Sequence, residues 1–204
     1  MFRGYYFITD GILSKSGNIS DVKNAILAGV TVIQYRNKTA TTKEMYKEAL
    51  MLRKICKKVL FLINDRVDIA VAVNADGVHI GQDDLPYPVV RKIIGENKII
   101  GLSVHNVEEA IEAQNYGADY ISVGPIFYTE TKFDIKKPVG VNMIKNIKKV
   151  VSVPVVAIGG INLSNVESVL KAGADMVCSI SAVVKKNNVK SEIEKYQNLF
   201  QKYF

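Results

Sequence analysis

Short apolar runs of strand length alternate with segments of helical periodicity from one end of the chain to the other. This alternation is typical of a parallel sheet in which a helix follows each strand, rather than of separate helical and sheet layers. The pattern predicts eight strands, at Tyr5–Thr9, Val30–Tyr35, Val59–Ile63, Gly77–Ile80, Ile99–Leu102, Tyr120–Val123, Val155–Ile158 and Met176–Ser179. It also predicts eight helices, at Ser20–Ala28, Thr42–Lys57, Arg66–Val73, Pro88–Gly95, Val107–Tyr116, Asn142–Val150, Leu163–Ala172 and Ser191–Tyr203.

Two local signals support these elements. Joints rich in glycine, alanine and aspartate precede four of the strands, at Ala28-Gly29-Val30, Ala75-Asp76-Gly77, Gly117-Ala118-Asp119 and Gly173-Ala174-Asp175. Each joint fits a helix that ends at a glycine-bearing turn and leads into the next strand. Polar residues that favour the N-cap position stand at four helix starts, at Ser20, Thr42, Asn106 and Asn162.

Eight strand–helix units predict an α/β fold, a single (β/α)8 TIM barrel that forms one catalytic domain over residues 1–204. About 25 residues per unit is compact for an architecture that typically has about 250 residues in total. An open doubly wound sheet is the alternative, but it more often has five or six strands and a glycine fingerprint after the first. The segment Thr9-Asp10-Gly11 lacks that fingerprint.

Composition excludes several classes of protein. With 48% apolar and 23% charged residues, the chain resembles ordinary globular domains rather than disordered ones. No segment has the roughly 18 uninterrupted apolar residues that a membrane span needs. An acidic residue, Asp10, comes before any signal-peptide core could form, so a cytoplasmic location is expected. The two cysteines, Cys56 and Cys178, are too few for a disulfide framework and are predicted to be buried free thiols.

The net charge of +7 favours anionic ligands. The lysines are scattered along predicted helices, and no nucleic-acid reading motif or continuous basic stripe accompanies them. The expected partners are therefore small anionic molecules rather than nucleic acid or membrane. The sequence does not determine the oligomeric state, and it is compatible with a homo-oligomer.

Polar or glycine residues follow seven consecutive predicted strands, from the second to the eighth. Barrel enzymes build their active sites from the loops at the carboxyl ends of the strands, so these residues are expected on one rim. In chain order they are Gln34, Arg36 and Lys38; Asn64 and Asp65; Asp83 and Asp84; Ser103 and His105; Thr129, Thr131 and Lys132; Gly159 and Gly160; and Ser179 and Ser181.

The cations and carboxylates on this rim indicate diphosphate chemistry. Arg36 and Lys38 suit a run of phosphate oxygens, and Asp65 with Asp84 suits a divalent metal held against them. The alternative for the cations is a solvated strand end. The alternative for Asp65 is the N-cap of the following helix.

Glycine and serine residues after the seventh and eighth strands suit a monophosphate. Gly159-Gly160 and Ser179-Ile180-Ser181 would offer backbone N–H groups, although glycine pairs also serve tight turns. His79 is interpreted as a strand residue in a packed or capped setting. His105 lies beside the candidate cap Asn106, and an acid–base role for it is the minor alternative. With two histidines and no paired nucleophile, a hydrolytic triad is not expected.

Taken together in order, these motifs resemble the thiamine-phosphate synthase family over residues 5 to about 183. The motifs are Tyr6-Phe7-Ile8-Thr9-Asp10, Gln34-x-Arg36-x-Lys38, Asn64-Asp65-Arg66-Val67-Asp68, Gly77-Val78-His79-Ile80-Gly81-Gln82-Asp83-Asp84-Leu85-Pro86, Gly101-x-Ser103-x-His105, Asp119-Tyr120-Ile121-Ser122-Val123-Gly124-Pro125-Ile126-Phe127-x-Thr129-x-Thr131-Lys132 and Ala157-Ile158-Gly159-Gly160-Ile161. The chain departs from the family pattern in two places. One is Asn37, where an acidic residue is common, and the other is the sequence of the segment Tyr128–Pro138.

The resemblance implies a transferase that joins hydroxymethylpyrimidine diphosphate to hydroxyethylthiazole phosphate and releases diphosphate with the help of Mg²⁺. It implies pyrimidine-diphosphate binding by Gln34, Arg36, Lys38, Asn64, Ser103 and Lys132, of which Arg36, Lys38, Ser103 and Lys132 are the catalytic candidates. It implies Mg²⁺ ligation by Asp65 and Asp84. It implies thiazole-phosphate binding by Thr129, Thr131, Gly160, Ile180 and Ser181.

Two other functions are considered. A thiazole tautomerase-type paralogue has the same fold, but such relatives usually lack the second acidic residue that Asp84 provides here. A non-catalytic barrel that binds phosphate ligands would have a cationic rim without a pair of metal-binding carboxylates. The pair Asp65 and Asp84 therefore favours the synthase.

Overall fold

Eight parallel strands close into a barrel in chain order, and the last strand pairs with the first through Gly4 and Met176. The computed structural model describes residues 2–130 and 137–203. The strands are β1 (Gly4–Ile8), β2 (Val32–Tyr35), β3 (Leu60–Asn64), β4 (Gly77–Ile80), β5 (Ile99–Val104), β6 (Tyr120–Val123), β7 (Val155–Ile158) and β8 (Met176–Cys178). The predicted (β/α)8 barrel is confirmed, and the pairing of β1 with β8 excludes the open sheet.

Helices pack against the outside of the barrel. They are α1 (Asn18–Leu27), α2 (Thr42–Ile55), α3 (Val67–Ala72), α4 (Tyr87–Ile94), α5 (Val107–Tyr116), α6 (Val141–Lys148), α7 (Val166–Lys171), α8 (Ser181–Val184) and α9 (Val189–Tyr203). The sequence did not predict α8, because a four-residue helix is too short to show a period. Among the described residues, no helix has the length and apolarity needed to cross a membrane.

Both faces of most strands are buried, which explains their continuous apolar runs. In β1 the ring of Tyr5 lies 5.1 Å from the ring of Tyr196 on the outer helix α9. The neighbouring ring of Tyr6 instead lies 5.8 Å from Tyr120 of β6, across the barrel interior. Successive side chains of a strand point to opposite faces, so one tyrosine packs outside the barrel and the next inside. Both cysteines are buried and neither forms a disulfide, as predicted.

The aspartates of the repeated joints have a common structural role. Asp76, Asp119 and Asp175 each come just before a strand, and each accepts a hydrogen bond at 2.8 Å from a backbone N–H of the preceding strand. The backbone N–H of each aspartate also donates to the carbonyl oxygen of that same residue, at 2.9 Å. The repeat therefore fastens pairs of neighbouring strands at the amino end of the barrel, opposite the rim that carries the candidate site.

We expect Asp175→Ala to lower the free energy of unfolding by about 2 kcal/mol, because it leaves the Val155 N–H without its carboxylate acceptor. Lys148→Met is the matched control. Its Nζ atom pairs with the same carboxylate at 2.8 Å, but both side chains are about one third exposed, so this change should cost less than about 1 kcal/mol. Urea denaturation of the two variants measures both values. Equal losses would show that the ion pair, not the hydrogen bond to the strand, stabilises the joint.

One predicted helix cap is correct and one is displaced by a residue. Asn106 caps α5, where its side chain accepts from the Glu109 N–H. For α2 the N-cap is Thr41, not Thr42 as predicted, because Thr41 and Glu44 form a reciprocal capping box. The hydrogen-bonding partner three residues ahead decides between the two neighbouring threonines.

The other two predicted caps are wrong. Helix α1 begins earlier than predicted, after Gly17, which has φ +80°, so Ser20 lies inside the helix. The cap residue of α7 is Asn165 rather than Asn162. Asn162 accepts instead from the backbone N–H of Ser164 at 2.9 Å, which forms a turn before the helix starts.

Candidate active site

Polar side chains at the end of β2 and in the loop after it contact strand β1 and the loops that follow β1 and β3. Gln34 is buried in the barrel interior, and its Nε2 atom lies 2.8 Å from the hydroxyl of Tyr6. Arg36 leans towards the loop after β1, with Nη1 3.4 Å from Oδ2 of Asp10. Lys38 leans the opposite way and bonds the carboxylate of Asp65 after β3. The predicted polyanion-binding cations therefore lie together, each held by a carboxylate of a neighbouring loop.

Asp10 is a site residue to which sequence reasoning gave no role. It is buried, its Oδ1 atom accepts from the N–H groups of Ile12 and Leu13, and its Oδ2 atom faces Arg36. It thus shapes the loop after β1 and orients the guanidinium. The available signal was its place directly after the first strand. A pocket of about 150 Å³ lies beside it, lined by Asp10, Gly11, Ile12, Leu13, Arg36, Asn37, Lys38 and Glu130.

Asp65 does not cap the helix that follows it. The N-cap residue of α3 is Arg66, so the alternative interpretation of Asp65 is wrong. Asp65 has φ +59°, in the left-handed region that non-glycine residues rarely adopt. Such a conformation costs about 1–3 kcal/mol and often occurs at functional sites. Here it turns the carboxylate towards Lys38, while the Asp65 N–H donates to the carbonyl oxygen of His79 at 2.8 Å.

Asp84 lies within hydrogen-bonding reach of the Asp65 carboxylate. Burial raises the pKa of Asp84, and the neighbouring Asp65 raises it further, whereas the hydrogen bond from the Gly81 N–H and the charge of Lys38 lower it. The Gly81 bond, 2.7 Å to Oδ2, fixes the carboxylate. Two carboxylates this close repel each other unless a cation lies near both.

This pair fits a hard divalent cation that takes few ligands from the protein. Mg²⁺ is usually bound by one or two carboxylates, with water and substrate phosphate oxygens filling the remaining positions. Within residues 2–130 and 137–203, no cluster of three or more His, Cys, Asp or Glu side chains could hold a metal. A metal at Asp65 and Asp84 would therefore need water and substrate oxygens to complete its coordination.

Asn64 and Ser103 lie on either side of His79 in the sheet. Asn64 is the last residue of β3 and stands opposite His79 of β4. Ser103 of β5 places its Oγ atom 2.9 Å from Nε2 of His79, and its carbonyl oxygen accepts from Gln82 at 2.7 Å. His79 is a packed strand residue, as interpreted. Its contact with Ser103 was missed, because a lone histidine in an apolar strand gives no sign of its cross-strand partner.

The predicted monophosphate end lies between β7 and β8. Gly160 has φ +63°, and an added Cβ atom would stand 2.4 Å from the carbonyl oxygen of Tyr128, so the loop after β7 touches the segment that leads to Thr129. Ile180 is the N-cap residue of α8 and Ser181 is its first residue. The loops after these two strands are joined by the Ser179 hydroxyl, which donates to the Ile161 carbonyl oxygen at 2.5 Å.

Two predicted site residues, Thr131 and Lys132, lie outside the described residues. Asn37, one of the departures from the family pattern, has a structural role. Its Oδ1 atom accepts from the N–H groups of Thr39 and Ala40 at 3.1 and 3.0 Å, which forms the turn that follows Lys38. His105 also has a structural role, since its backbone N–H and its ring both contact Glu109 of α5.

The fold and the position of these side chains define a (β/α)8 barrel of the enzyme class that builds its site from the loops after the strands. A family model described as thiamine monophosphate synthase matches residues 5–183. Two curated relatives named thiamine-phosphate synthase are similar over nearly the whole chain. The one from Methanosarcina barkeri is 49% identical, covering 97% of this chain and 90% of its own. The one from Persephonella marina is 45% identical, covering 97% and 96%.

A solved structure of a protein of this type is similar to the chain over its whole length. Thiamine phosphate pyrophosphorylase from Pyrococcus furiosus superposes with a TM-score of 0.91 at 39% identity, covering 100% of this chain and 98% of that one. The chain therefore belongs to the thiamine monophosphate synthase family, and it is a transferase of that type.

Proposed function

We propose that this enzyme joins 4-amino-2-methyl-5-hydroxymethylpyrimidine diphosphate to hydroxyethylthiazole phosphate, giving thiamine phosphate and diphosphate. The observation that carries the proposal is the set of two cations and two carboxylates on one part of the carboxyl rim. Lys38 bonds Asp65, which faces Asp84, and Arg36 lines the same pocket as Lys38. Cations and a metal-binding pair together suit a diphosphate better than a single phosphate. Membership of the family supports the identity of the two substrates.

The pyrimidine diphosphate would lie across the ends of β2 to β5. The cations Arg36 and Lys38 would bind the phosphate oxygens, and Lys132 and the hydroxyl of Ser103 would add further donors. Gln34 and Asn64 are polar side chains at the ends of their strands, and they would orient the pyrimidine. Arg36 is preorganised to bind phosphate oxygens, because Asp10 already holds its guanidinium in place.

Asp65 and Asp84 would hold Mg²⁺ together with oxygens of the diphosphate. When bound, the metal neutralises charge on the diphosphate and so makes it a better leaving group. Lys38 lies beside the same carboxylates and would share this charge stabilisation. The strained backbone of Asp65 supports a ligand role, since an ordinary solvated aspartate has no need of a left-handed conformation.

The chemistry proposed is a dissociative substitution. The bond between the pyrimidine methylene carbon and the diphosphate oxygen breaks, and its electron pair leaves with the diphosphate. The aminopyrimidine ring stabilises the cation that remains, and the lone pair of the thiazole nitrogen then forms the new carbon–nitrogen bond. No strong base is required, so catalysis rests on charge stabilisation and positioning, which matches a rim of cations, hydroxyls and amides.

The thiazole phosphate would bind between the loops after β6, β7 and β8. Thr129 and Thr131 would contribute hydroxyls, and Gly160, Ile180 and Ser181 would contribute backbone N–H groups. Gly160 brings the loop after β7 next to the segment that leads to Thr129, because its left-handed backbone carries no side chain and so allows the close contact with the Tyr128 carbonyl oxygen. In this proposal the chain works as one catalytic domain in the cytoplasm, on small-molecule substrates.

The test is a direct assay of the purified protein with both substrates and Mg²⁺, followed by mass spectrometry of thiamine phosphate and diphosphate. We expect equal amounts of the two products, and we expect EDTA to abolish both. Isomerisation of a thiazole carboxylate phosphate without condensation would instead identify a tautomerase. Saturable binding of either substrate without any product would identify a binding protein.

A further inference from the structure

A row of hydrogen bonds crosses the barrel interior from β2 to β5. Nε2 of Gln34 lies 2.8 Å from the hydroxyl of Tyr6, and that hydroxyl lies 2.7 Å from the hydroxyl of Tyr120. Tyr120 lies 2.8 Å from Nδ1 of His79, and Nε2 of His79 lies 2.9 Å from Oγ of Ser103. Five strands each contribute one residue to this row. Its two ends, Gln34 and Ser103, are residues assigned to the pyrimidine diphosphate.

The row has a direction that follows from its first member. An amide nitrogen donates and does not accept, so Gln34 gives a hydrogen to Tyr6. Among the described residues, the Tyr6 hydroxyl meets only Gln34 and Tyr120, so its own hydrogen goes to Tyr120. Tyr120 in turn gives its hydrogen to Nδ1 of His79. The imidazole therefore carries its hydrogen on Nε2 and donates it to Ser103.

We propose that this directed row fixes His79 as the Nε2–H tautomer and thereby turns the Ser103 hydroxyl hydrogen outward, towards the diphosphate. The proposal rests on the proposed function for the identity of the anion at Ser103. Tyr6, Tyr120 and His79 are positioning residues in this account, because they act on the substrate through Ser103 and Gln34.

The charge of the substrate favours the same direction. In the reverse direction His79 would donate from Nδ1 to Tyr120, and Ser103 would give its hydrogen to Nε2 of His79. The serine oxygen would then present only lone pairs to the anionic diphosphate, which is repulsive. In the forward direction the serine donates a charge-assisted hydrogen bond to an oxygen on which negative charge increases as the diphosphate leaves.

Burial keeps the two tyrosine hydroxyls of the row protonated. It raises the pKa of Tyr6 and of Tyr120, so both hydroxyls keep their hydrogens at neutral pH. The rings of His79 and Tyr120 are stacked, with centroids 5.5 Å apart and planes 27° apart. Gly101 makes room for this arrangement, because an added Cβ atom would stand 2.0 Å from Cζ of Tyr120.

The first test is the tautomer of His79, read from nitrogen-15 NMR of protein labelled on histidine. The chain has two histidines, and a His105→Gln variant assigns the second signal. We expect the His79 ring to carry its hydrogen on Nε2, with Nδ1 unprotonated. A ring protonated on Nδ1 would overturn the proposal. In Tyr120→Phe, which removes the donor to Nδ1 while keeping the ring, we expect the single tautomer to give way to a mixture.

The second test separates positioning from stability. For Tyr120→Phe we expect kcat to fall about tenfold, because the Ser103 hydroxyl would no longer be directed to donate to the charged diphosphate. The KM for the thiazole phosphate should stay unchanged. Tyr87→Phe is the matched control, because it removes a buried tyrosine hydroxyl, 2.7 Å from the Gly117 carbonyl oxygen, outside the barrel interior. It should leave kcat unchanged. An unchanged kcat in Tyr120→Phe, or equal losses in both variants, would remove the positioning role.

Two substitutions of His79 itself test whether a side chain with similar hydrogen-bonding groups restores kcat. Glutamine, like the neutral imidazole, presents one acceptor and one donor at its tip, so His79→Gln should keep more of the wild-type kcat than His79→Leu. The reverse ranking would contradict the proposal. Failure of the proposed function is distinct from failure of this inference, because the tautomer is read without turnover, whereas the condensation assay uses the unmodified protein.

Discussion

Asp84→Asn should lower kcat/KM for the pyrimidine diphosphate at least about a hundredfold, which corresponds to about 3 kcal/mol of lost transition-state stabilisation. The asparagine oxygen can still accept the bond from the Gly81 N–H, so the shape of the loop after β4 is expected to persist. What disappears is one negative charge facing Asp65. The metal loses a charged ligand at the step in which diphosphate charge increases, and this loss should appear mainly in kcat.

Asp83→Asn is the matched control for this prediction. It makes the same change of charge at the adjacent position, where the side chain is exposed rather than turned towards Asp65. Steady-state rates at several Mg²⁺ concentrations measure both variants. We expect Asp83→Asn to behave like the wild type, and Asp84→Asn to require more Mg²⁺ for its residual rate. Near-wild-type turnover of Asp84→Asn at ordinary Mg²⁺ concentrations would contradict the metal assignment.

The fold was predictable because most of the strands have the same environment. A strand buried on both faces produces a plain apolar run, and eight such runs separated by helical segments leave few architectures to consider. The short helix α8 and the starts of α1 and α7 were not predictable in this way. Helix α8 is too short to show a helical period. The start of α1 depends on the left-handed backbone of Gly17, and the start of α7 depends on the turn at Asn162.

The rim of the site was also predictable, because the position of a residue just after a strand determines on which end of the barrel it lies. Arg36, Lys38, Asp65 and Asp84 gather there in the structure as the sequence indicated. Their roles in binding stay predictions.

What the sequence did not predict are contacts between strands that are far apart in the chain. The bond between Asp10 and Arg36 joins loops of different strands, and its geometry depends on the closure of the barrel. The contact of His79 with Tyr120 spans 41 residues and requires the open space left by Gly101. A hydrophobic pattern records which face of a strand is buried. It does not record which polar group of another strand stands opposite, so the interior row of hydrogen bonds appears only in the folded barrel.

Arg36→Gln should lower kcat/KM for the pyrimidine diphosphate by about two to three orders of magnitude, the usual cost of losing one strong donor to a developing negative charge. The guanidinium is only 12% exposed and is held by Asp10, so little entropy is lost when it binds phosphate oxygens. Glutamine keeps a neutral donor but loses both the charge and the planar pair of N–H groups. In addition, Asp10 is left as a buried carboxylate without its cation, which repels the incoming diphosphate.

Arg53→Gln is the control for this change, because it removes one positive charge from a guanidinium that pairs with Asp76 at the opposite end of the barrel. If the overall field of +7 attracted the substrate, both variants would lose similar activity. We expect Arg53→Gln to keep its kcat/KM and to lose only some stability. The double variant Asp10→Asn with Arg36→Gln should recover part of the loss, since it removes the unpaired carboxylate. Absence of recovery would show that Asp10 acts on the loop after β1 rather than through the guanidinium.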